Sequence, residues 1–121
     1  MSAHSQSHLP IASSRFEQLV DLTSRPDWDD EGGVVIDAAR WEDARRLAEA
    51  VRAEVSKAPE VFFSACGDGR IHLRWADATR SLDAEVDGHV FRWAVRIAGE
   101  RTRMQSERAA DLLQALRALF A

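Results

Sequence analysis

The stretch CGDGRIHLRWADATRSLDAEVDGHVFRW, residues 66–93, contains two Asp-Gly dipeptides set between alternating apolar and polar residues. Asp68-Gly69 and Asp87-Gly88 each accept the positive φ angles of a tight hairpin turn, and the alternation between them has the period of a β-strand. The stretch therefore predicts an antiparallel meander. Further turns at 76–79 and at Gly99-Glu100 extend it, with candidate strands at 60–66, 70–75, 80–86, 89–98 and 101–105.

These turns predict a register in which apolar residues face each other on one side of the sheet and opposite charges face each other on the other. The predicted pairs are Leu73–Leu82, His72–Asp83, Leu82–Trp93, Ala84–Phe91, Asp83–Arg92, Val95–Met104 and Ile97–Thr102. The predicted buried face is Ile71, Leu73, Leu82, Ala84, Val86, Phe91, Trp93, Val95, Ile97 and Met104. The first hairpin leaves two options: a three-residue loop at 67–69 buries Val61, Phe63 and Ala65, and a two-residue loop buries Phe62, Ser64 and Cys66. We favour the first because its set is more apolar.

Helical periodicity flanks the strands. A short helix begins at Ser14 and ends before Pro26, and a second begins at Ala38, with Asp37 as its N-cap. A third follows Ser106, its predicted N-cap, with a strongly apolar side. We therefore predict an α+β fold: an antiparallel meander of four to five strands, with N-terminal helices and a C-terminal helix packed on one face. Residues 13–121 form a single domain, and residues 1–12 form a flexible tail.

Composition narrows the class of protein. The chain has 121 residues, a formal net charge of -4 and one cysteine. A lone cysteine fits a reducing cytoplasm, and we find neither a secretory signal nor an apolar run that could span a membrane. Net negative charge disfavours nucleic-acid binding, which needs clustered positive charge. Nothing in the sequence indicates a cofactor.

The acidic loop, residues 26–33, is the most unusual segment. Asp27, Asp29, Glu31 and Gly32 match the first ligand positions of a calcium loop, but the position of the bidentate glutamate is Ala38. We favour a structural turn, in which the aspartates accept backbone amides, the glycines adopt unusual φ angles and Trp28 packs inward. The other metal candidate, His4 and His8, lacks further ligands.

Charged residues on the predicted exposed sheet face form a second candidate site. His72 beside Asp83 is the arrangement of a general base with its orienting carboxylate, but no nucleophile is evident, so a charge ladder is favoured. Cys66 has no histidine nearby in sequence, which disfavours a catalytic thiol. Several arginines share this face, and Arg96 is predicted to stand opposite Arg103. The set is Arg74, Arg92, Arg96, Arg101 and Arg103.

The loop Trp28-Asp29-Asp30-Glu31-Gly32-Gly33, the Ala- and Arg-rich helix after it and the Gly-Asp-Gly-Arg-Ile-His-Leu-Arg-Trp hairpin resemble a recurring type of uncharacterised small bacterial protein. There, a Trp-Asp-Gly-x-Gly-Ala-like loop precedes a helix and a later Asp-Gly hairpin. The likeness covers residues 14–98 and is carried by Trp28, Asp29, Gly32 and Trp75. This chain departs from it, with Asp30 where Gly is usual and Gly33 where Ala is usual. The resemblance implies a bacterial cytoplasmic protein and transfers no catalytic residue.

These observations predict a non-enzymatic protein-binding module of the bacterial cytoplasm, of the antitoxin or immunity type, which neutralises a basic protein partner by electrostatic contact. Self-association through an edge strand, 60–66 or 101–105, is a related possibility. The alternatives are a metal-dependent or hydrolytic enzyme using the acidic loop or His72 with Asp83, and nucleic-acid binding through the arginine-bearing strands. The predicted partner-binding residues are Trp28, Asp29, Asp30, Glu31, Arg74, Arg92 and Arg96.

Overall fold

A computed structural model describes residues 14–88 and 90–121. It confirms the α+β class, with three helices and five strands in the described residues. In chain order the elements are α1 (Ser14–Leu22), α2 (Ala38–Glu54), β1 (Val61–Ala65), β2 (Ile71–Ala76), β3 (Arg80–Asp87), β4 (Val90–Ile97), β5 (Glu100–Ser106) and α3 (Ala109–Leu119). The predicted tail, with His4 and His8, lies outside the described residues.

The strands form one antiparallel sheet in the order β1-β2-β3-β4-β5, which is the predicted meander. The first hairpin has the favoured three-residue loop, since the Cys66 N–H donates to the Arg70 carbonyl at 2.9 Å. Phe63 consequently pairs with Leu73 and faces the core.

The other three turns each lie one residue away from the predicted position. Asp87 pairs with Val90, so that turn starts at Gly88, whose φ is +63°. Ala98 and Gly99, both with positive φ, form the last turn, one residue earlier than predicted. A turn displaced by one residue moves the pairing by two, which changes partners but keeps every side chain on its face. The corrected pairs are Leu73–Ala84, His72–Glu85, Trp75–Leu82, Asp83–Ala94, Leu82–Val95, Ala84–Trp93, Val95–Thr102, Ile97–Glu100 and Arg96–Arg101.

The β2–β3 turn lies one residue later than predicted because the Asp77 side chain fixes its position. Its carboxylate accepts the backbone N–H groups of Thr79 and Arg80 at 2.9 and 2.8 Å. The Arg80 guanidinium donates to the same carboxylate at 2.7 Å and to the Leu119 carbonyl at 2.7 Å. This turn is therefore tied directly to the end of α3.

The helices cover one face of the sheet. Helix α2 begins at Ala38 as predicted, because the Asp37 carboxylate accepts the Arg40 N–H at 3.0 Å. Trp41 is fully buried, contacts Phe16 and Phe63 edge-on, and donates from Nε1 to the Thr23 hydroxyl at 2.8 Å. This hydrogen bond joins α2 to the residue that follows α1.

Three predictions about the core and the caps were wrong. Ile97 and Met104 lie on the helical side of the sheet but are 49% and 52% exposed, because α3 does not extend over them. Trp75, left out of the predicted core, is buried. Ser106 ends β5 instead of capping α3, which begins at Ala109 after Arg108 in the N-cap position. Within residues 14–88 and 90–121, no helix combines the length and hydropathy that a bilayer span requires.

Candidate functional site

The sheet surface opposite the helices, hereafter the outer face, is a shallow hollow lined mostly by charged side chains. It encloses about 580 Å³ and is open to solvent. Alternation along the strands places these side chains there together. The charged residues that line it are His72, Asp83, Glu85, Arg92, Arg101 and Arg103.

Half of the arginines near this face are neutralised by carboxylates. Arg74 Nη1 lies 2.8 Å from Asp83 Oδ1, and Arg70 Nη1 lies 2.5 Å from Glu85 Oε1. Arg92 Nη1 is 3.5 Å from an Asp87 oxygen. The predicted His72–Asp83 pair does not form, because the register sets His72 opposite Glu85.

The remaining arginines form what we call the arginine cluster: Arg96, Arg101 and Arg103. Arg96 stands directly opposite Arg101, and Arg103 is next but one along β5. All three are exposed, and none forms an ion pair with a carboxylate of the described residues. Glu100, although adjacent in sequence, belongs to the other face of the sheet. The cluster therefore carries uncompensated positive charge.

An apolar groove adjoins the cluster on the helical side of the same strands. It encloses about 530 Å³ between β4, β5 and α3. Ile97 and Met104 expose half of their surface there, and Ala115 and Ala118 line the α3 wall. Trp93 also lines the groove, and its buried Nε1 has no hydrogen-bond partner among the described residues.

The acidic loop is built as the structural turn that the sequence favoured. Asp29 Oδ1 accepts the N–H groups of Glu31 and Gly33 at 3.0 and 2.7 Å, and Asp27 Oδ1 accepts that of Gly32 at 2.5 Å. Positive φ angles occur at Asp27, Asp30 and Gly32, but not at Gly33, for which one was also predicted.

Trp28 does not pack into the core as predicted: it is half-buried, and it holds the loop through a 2.8 Å hydrogen bond from Nε1 to the Val34 carbonyl. Asp27 and Asp29 thus accept hydrogen bonds within the turn, and Asp30 and Glu31 are the two exposed carboxylates that do not.

The loop and the arginine cluster lie at opposite edges of the sheet. The Val34 N–H donates to the Gly67 carbonyl at 2.8 Å, which sets the loop beside the β1–β2 turn, whereas the cluster lies along β4 and β5. The predicted binding residues therefore do not form one surface. Arg101 and Arg103, which the sequence placed only in the wider arginine set, extend the site from Arg96, while Arg74 and Arg92 are paired.

Cys66 lies beside His72, with 3.2 Å between Sγ and Nε2. This proximity could have been predicted from the sequence. The favoured three-residue loop sets His72 opposite Ser64, so Cys66, two residues further along, lies diagonally across from His72 on the outer face. Glu85 approaches the same Nε2 at 4.0 Å, so it does not orient the ring through Nδ1 as a catalytic triad requires. Burial, and then the charges of Asp68 and Glu85, raise the pKa of the Cys66 thiol. The arrangement thus favours the neutral thiol over the nucleophilic thiolate.

In the described part of the chain, no group of three or more histidine, cysteine, aspartate or glutamate side chains is placed to hold a metal ion. No protein-family model, no curated protein and no solved structure matches this chain. Its function must therefore be argued from the geometry of its own surface.

Proposed function

We propose that this chain is a non-enzymatic protein-binding module that binds its partner at the β5 side of the sheet. The observation that carries the proposal is the arginine cluster, which is uncompensated and lies on the strands whose other face exposes Ile97 and Met104. Like charges on adjacent strands destabilise a sheet unless an anionic group relieves them. A partner that supplies carboxylates would provide that relief.

The surroundings of the cluster favour a protein partner over a nucleic acid. Among the described residues, three arginines remain unpaired on this face, and carboxylates of Asp83 and Glu85 line the same hollow. Phosphate backbones are bound by longer runs of positive charge, and a chain of net charge -4 repels them at distance. The apolar groove reaches the same β5 edge from the opposite face of the sheet, so a partner that covers this edge would contact both apolar and charged side chains.

A more specific form of this proposal is an antitoxin or immunity role, for which the sequence predicted that the acidic loop contacts a basic partner. Asp27 and Asp29 each accept loop amides through Oδ1, so Asp30 and Glu31 are the loop carboxylates that form no hydrogen bond within the loop. We therefore centre the binding surface on Arg96, Arg101 and Arg103.

Affinity capture from the source cells at moderate salt tests the proposal. The wild-type chain is compared with Arg101→Glu/Arg103→Glu and with Arg25→Glu/Arg46→Glu, a control that changes the net charge equally at the residues after α1 and in α2. We expect a stoichiometric protein partner that the cluster variant loses and the control retains. An Asp30→Ala/Glu31→Ala variant completes the set.

Three outcomes would overturn the proposal. Capture of nucleic acid, seen by ultraviolet absorbance, would favour the nucleic-acid alternative. Loss of the partner only in the loop variant would move the binding surface to the acidic loop. Capture of no partner by any variant would remove the binding function.

A further inference from the structure

The outer edge of β5 presents free backbone groups in a fixed pattern. In the described chain, β5 pairs with β4 and with no other strand. The Ala98-Gly99 turn closes on the Ile97–Glu100 pair, and hydrogen-bonded and non-hydrogen-bonded pairs alternate from that pair along the ladder. The backbone N–H and C=O groups of Arg101, Arg103 and Gln105 therefore point away from β4, toward the open edge.

Two different surfaces border this edge. The side chains of Arg101 and Arg103 lie on the outer face, and those of Thr102 and Met104 lie on the side of the apolar groove. In an antiparallel pair, side chains directly opposite each other share a face. A strand added to this edge would hence present one set of alternate residues to the arginines and the other set to the groove.

We propose that β5 accepts an antiparallel strand from the partner protein, and that this strand alternates acidic with apolar residues. This inference rests on the proposed function and specifies the form of its partner. Carboxylates opposite Arg101 and Arg103 neutralise the cluster, the residue between them covers Met104, and the new ladder satisfies the free backbone groups. Strand addition of this kind supplies affinity from the backbone and specificity from the side chains.

The occupant is not a second copy or the chain's own first residues. Pairing β5 with β5 of another copy would bring Arg101, Arg103 and Gln105 against the same three residue types, without one carboxylate. The outer-face residues of β1, Phe62 and Ser64, are not acidic either. Residues 1–13 contain no aspartate or glutamate.

A fluorescent nine-residue peptide that alternates glutamate with valine is the direct probe, with binding measured by anisotropy at low salt. N-methylation at the glutamates removes the N–H groups that face β5, whereas N-methylation at the valines leaves that edge intact. A peptide of the same composition with its glutamates in one block keeps the charge and loses the alternation. Backbone amide hydrogen exchange at Arg103 and Gln105 reports where the peptide lies.

Two protein variants separate charge from strand pairing. Arg103→Glu reverses one charge, and Gln105→Pro removes an outward N–H without changing any charge or any bond to β4. We expect both to weaken binding of the alternating peptide by about tenfold or more. The valine-methylated peptide should bind like the parent, and the amides of Arg103 and Gln105 should become protected. Circular dichroism checks that each variant remains folded.

Equal binding of the blocked or glutamate-methylated peptide would overturn strand addition, since charge alone would then explain the affinity. Unchanged binding to Gln105→Pro would do the same. Should the cellular partner be lost by Arg101→Glu/Arg103→Glu but kept by Gln105→Pro, the chain would still be a protein-binding module and only the strand mechanism would fail. Loss of the partner in both variants, with the control unaffected, supports the mechanism.

Discussion

Replacing Arg101 by glutamate should stabilise this fold while it weakens binding. Arg101 stands directly opposite Arg96 in a non-hydrogen-bonded pair, where the Cα atoms are about 4.5 Å apart. A cross-strand pair of like charges destabilises by about 0.2–1 kcal/mol, and an opposite pair stabilises by a similar amount. Arg101→Glu removes the repulsion between Arg96 and Arg101 and replaces it with an attraction between Arg96 and the new carboxylate. We expect the free energy of unfolding to rise by about 1 kcal/mol at low salt, and Tm to rise by about 4 °C.

Urea and thermal unfolding, followed by circular dichroism at low and high salt, measure this effect. Arg101→Gln removes the repulsion without adding attraction, so it should give about half of the gain. Arg25→Glu is the matched control: Arg25 Nη2 lies 3.1 Å from Asp21, and reversing its charge should lower stability slightly. In ~1 M salt the Debye length is about 3 Å, and the differences should shrink.

An unchanged or lower free energy of unfolding for Arg101→Glu would refute the reasoning, because the cluster would then carry no repulsion for a partner to relieve. A gain that persists undiminished at high salt would refute it as well, since its cause would not be electrostatic. The expected result would identify a residue that lowers stability in the free chain. Such residues are typical of surfaces kept for binding.

The remaining predictions concern a buried hydrogen bond, a turn and a thiol. Thr23→Val removes the acceptor of Trp41 Nε1 at constant volume and should lower the urea-derived free energy of unfolding by about 2 kcal/mol. Thr23→Ser, which keeps the hydroxyl, should lower the free energy of unfolding by less. Equal decreases for the two variants would contradict a stabilising role for the Trp41–Thr23 hydrogen bond. The Arg80 guanidinium, and then the N–H groups of Thr79 and Arg80, lower the pKa of Asp77 to about 2. Because that pKa lies below the unfolded value of about 3.9, the stabilisation is complete above pH ~5 and is lost as pH falls toward about 2. The difference in unfolding midpoint between wild type and Asp77→Asn should narrow over this range. A constant difference would contradict the claim that the ionised Asp77 carboxylate stabilises the β2–β3 turn. Cys66, whose pKa is raised by burial, should react with iodoacetamide at neutral pH more slowly than a small free thiol, and a faster reaction would favour the enzyme alternative.

Alternation and turn chemistry in the sequence were sufficient to predict the class of fold and the faces of its strands. Asp37 marks the start of α2 because a carboxylate there can accept the free Arg40 amide. The turn positions were harder, since Asp87-Gly88 accepts a turn that starts at either residue. Leu73 pairs with Ala84 and not with Leu82, but both partners are apolar and buried, so core burial does not distinguish the two registers.

The sequence pattern could not predict how much of the sheet α3 covers. Ile97 and Met104 alternate correctly for burial, yet their exposure depends on where α3 crosses the sheet. That position is set by long-range contacts, such as the bond from Arg80 to the Leu119 carbonyl. The apolar groove exists because α3 leaves Ile97 and Met104 half exposed, a property of tertiary packing that no local periodicity encodes.

The two-residue difference between the predicted and the observed strand pairing has larger consequences on the outer face than in the core. In the predicted register, Asp83 lies between His72 and Arg92, which gave a charge ladder as the favoured interpretation and a catalytic His72–Asp83 pair as the alternative. In the structure, Asp83 faces Ala94 and binds Arg74, while Arg92 lies opposite Glu85 and pairs with Asp87. Apolar neighbours are interchangeable to a first approximation, whereas charged neighbours decide whether an arginine is neutralised or free. The position of each turn, to within one residue, therefore determines which arginines remain for a partner, and here they are Arg96, Arg101 and Arg103.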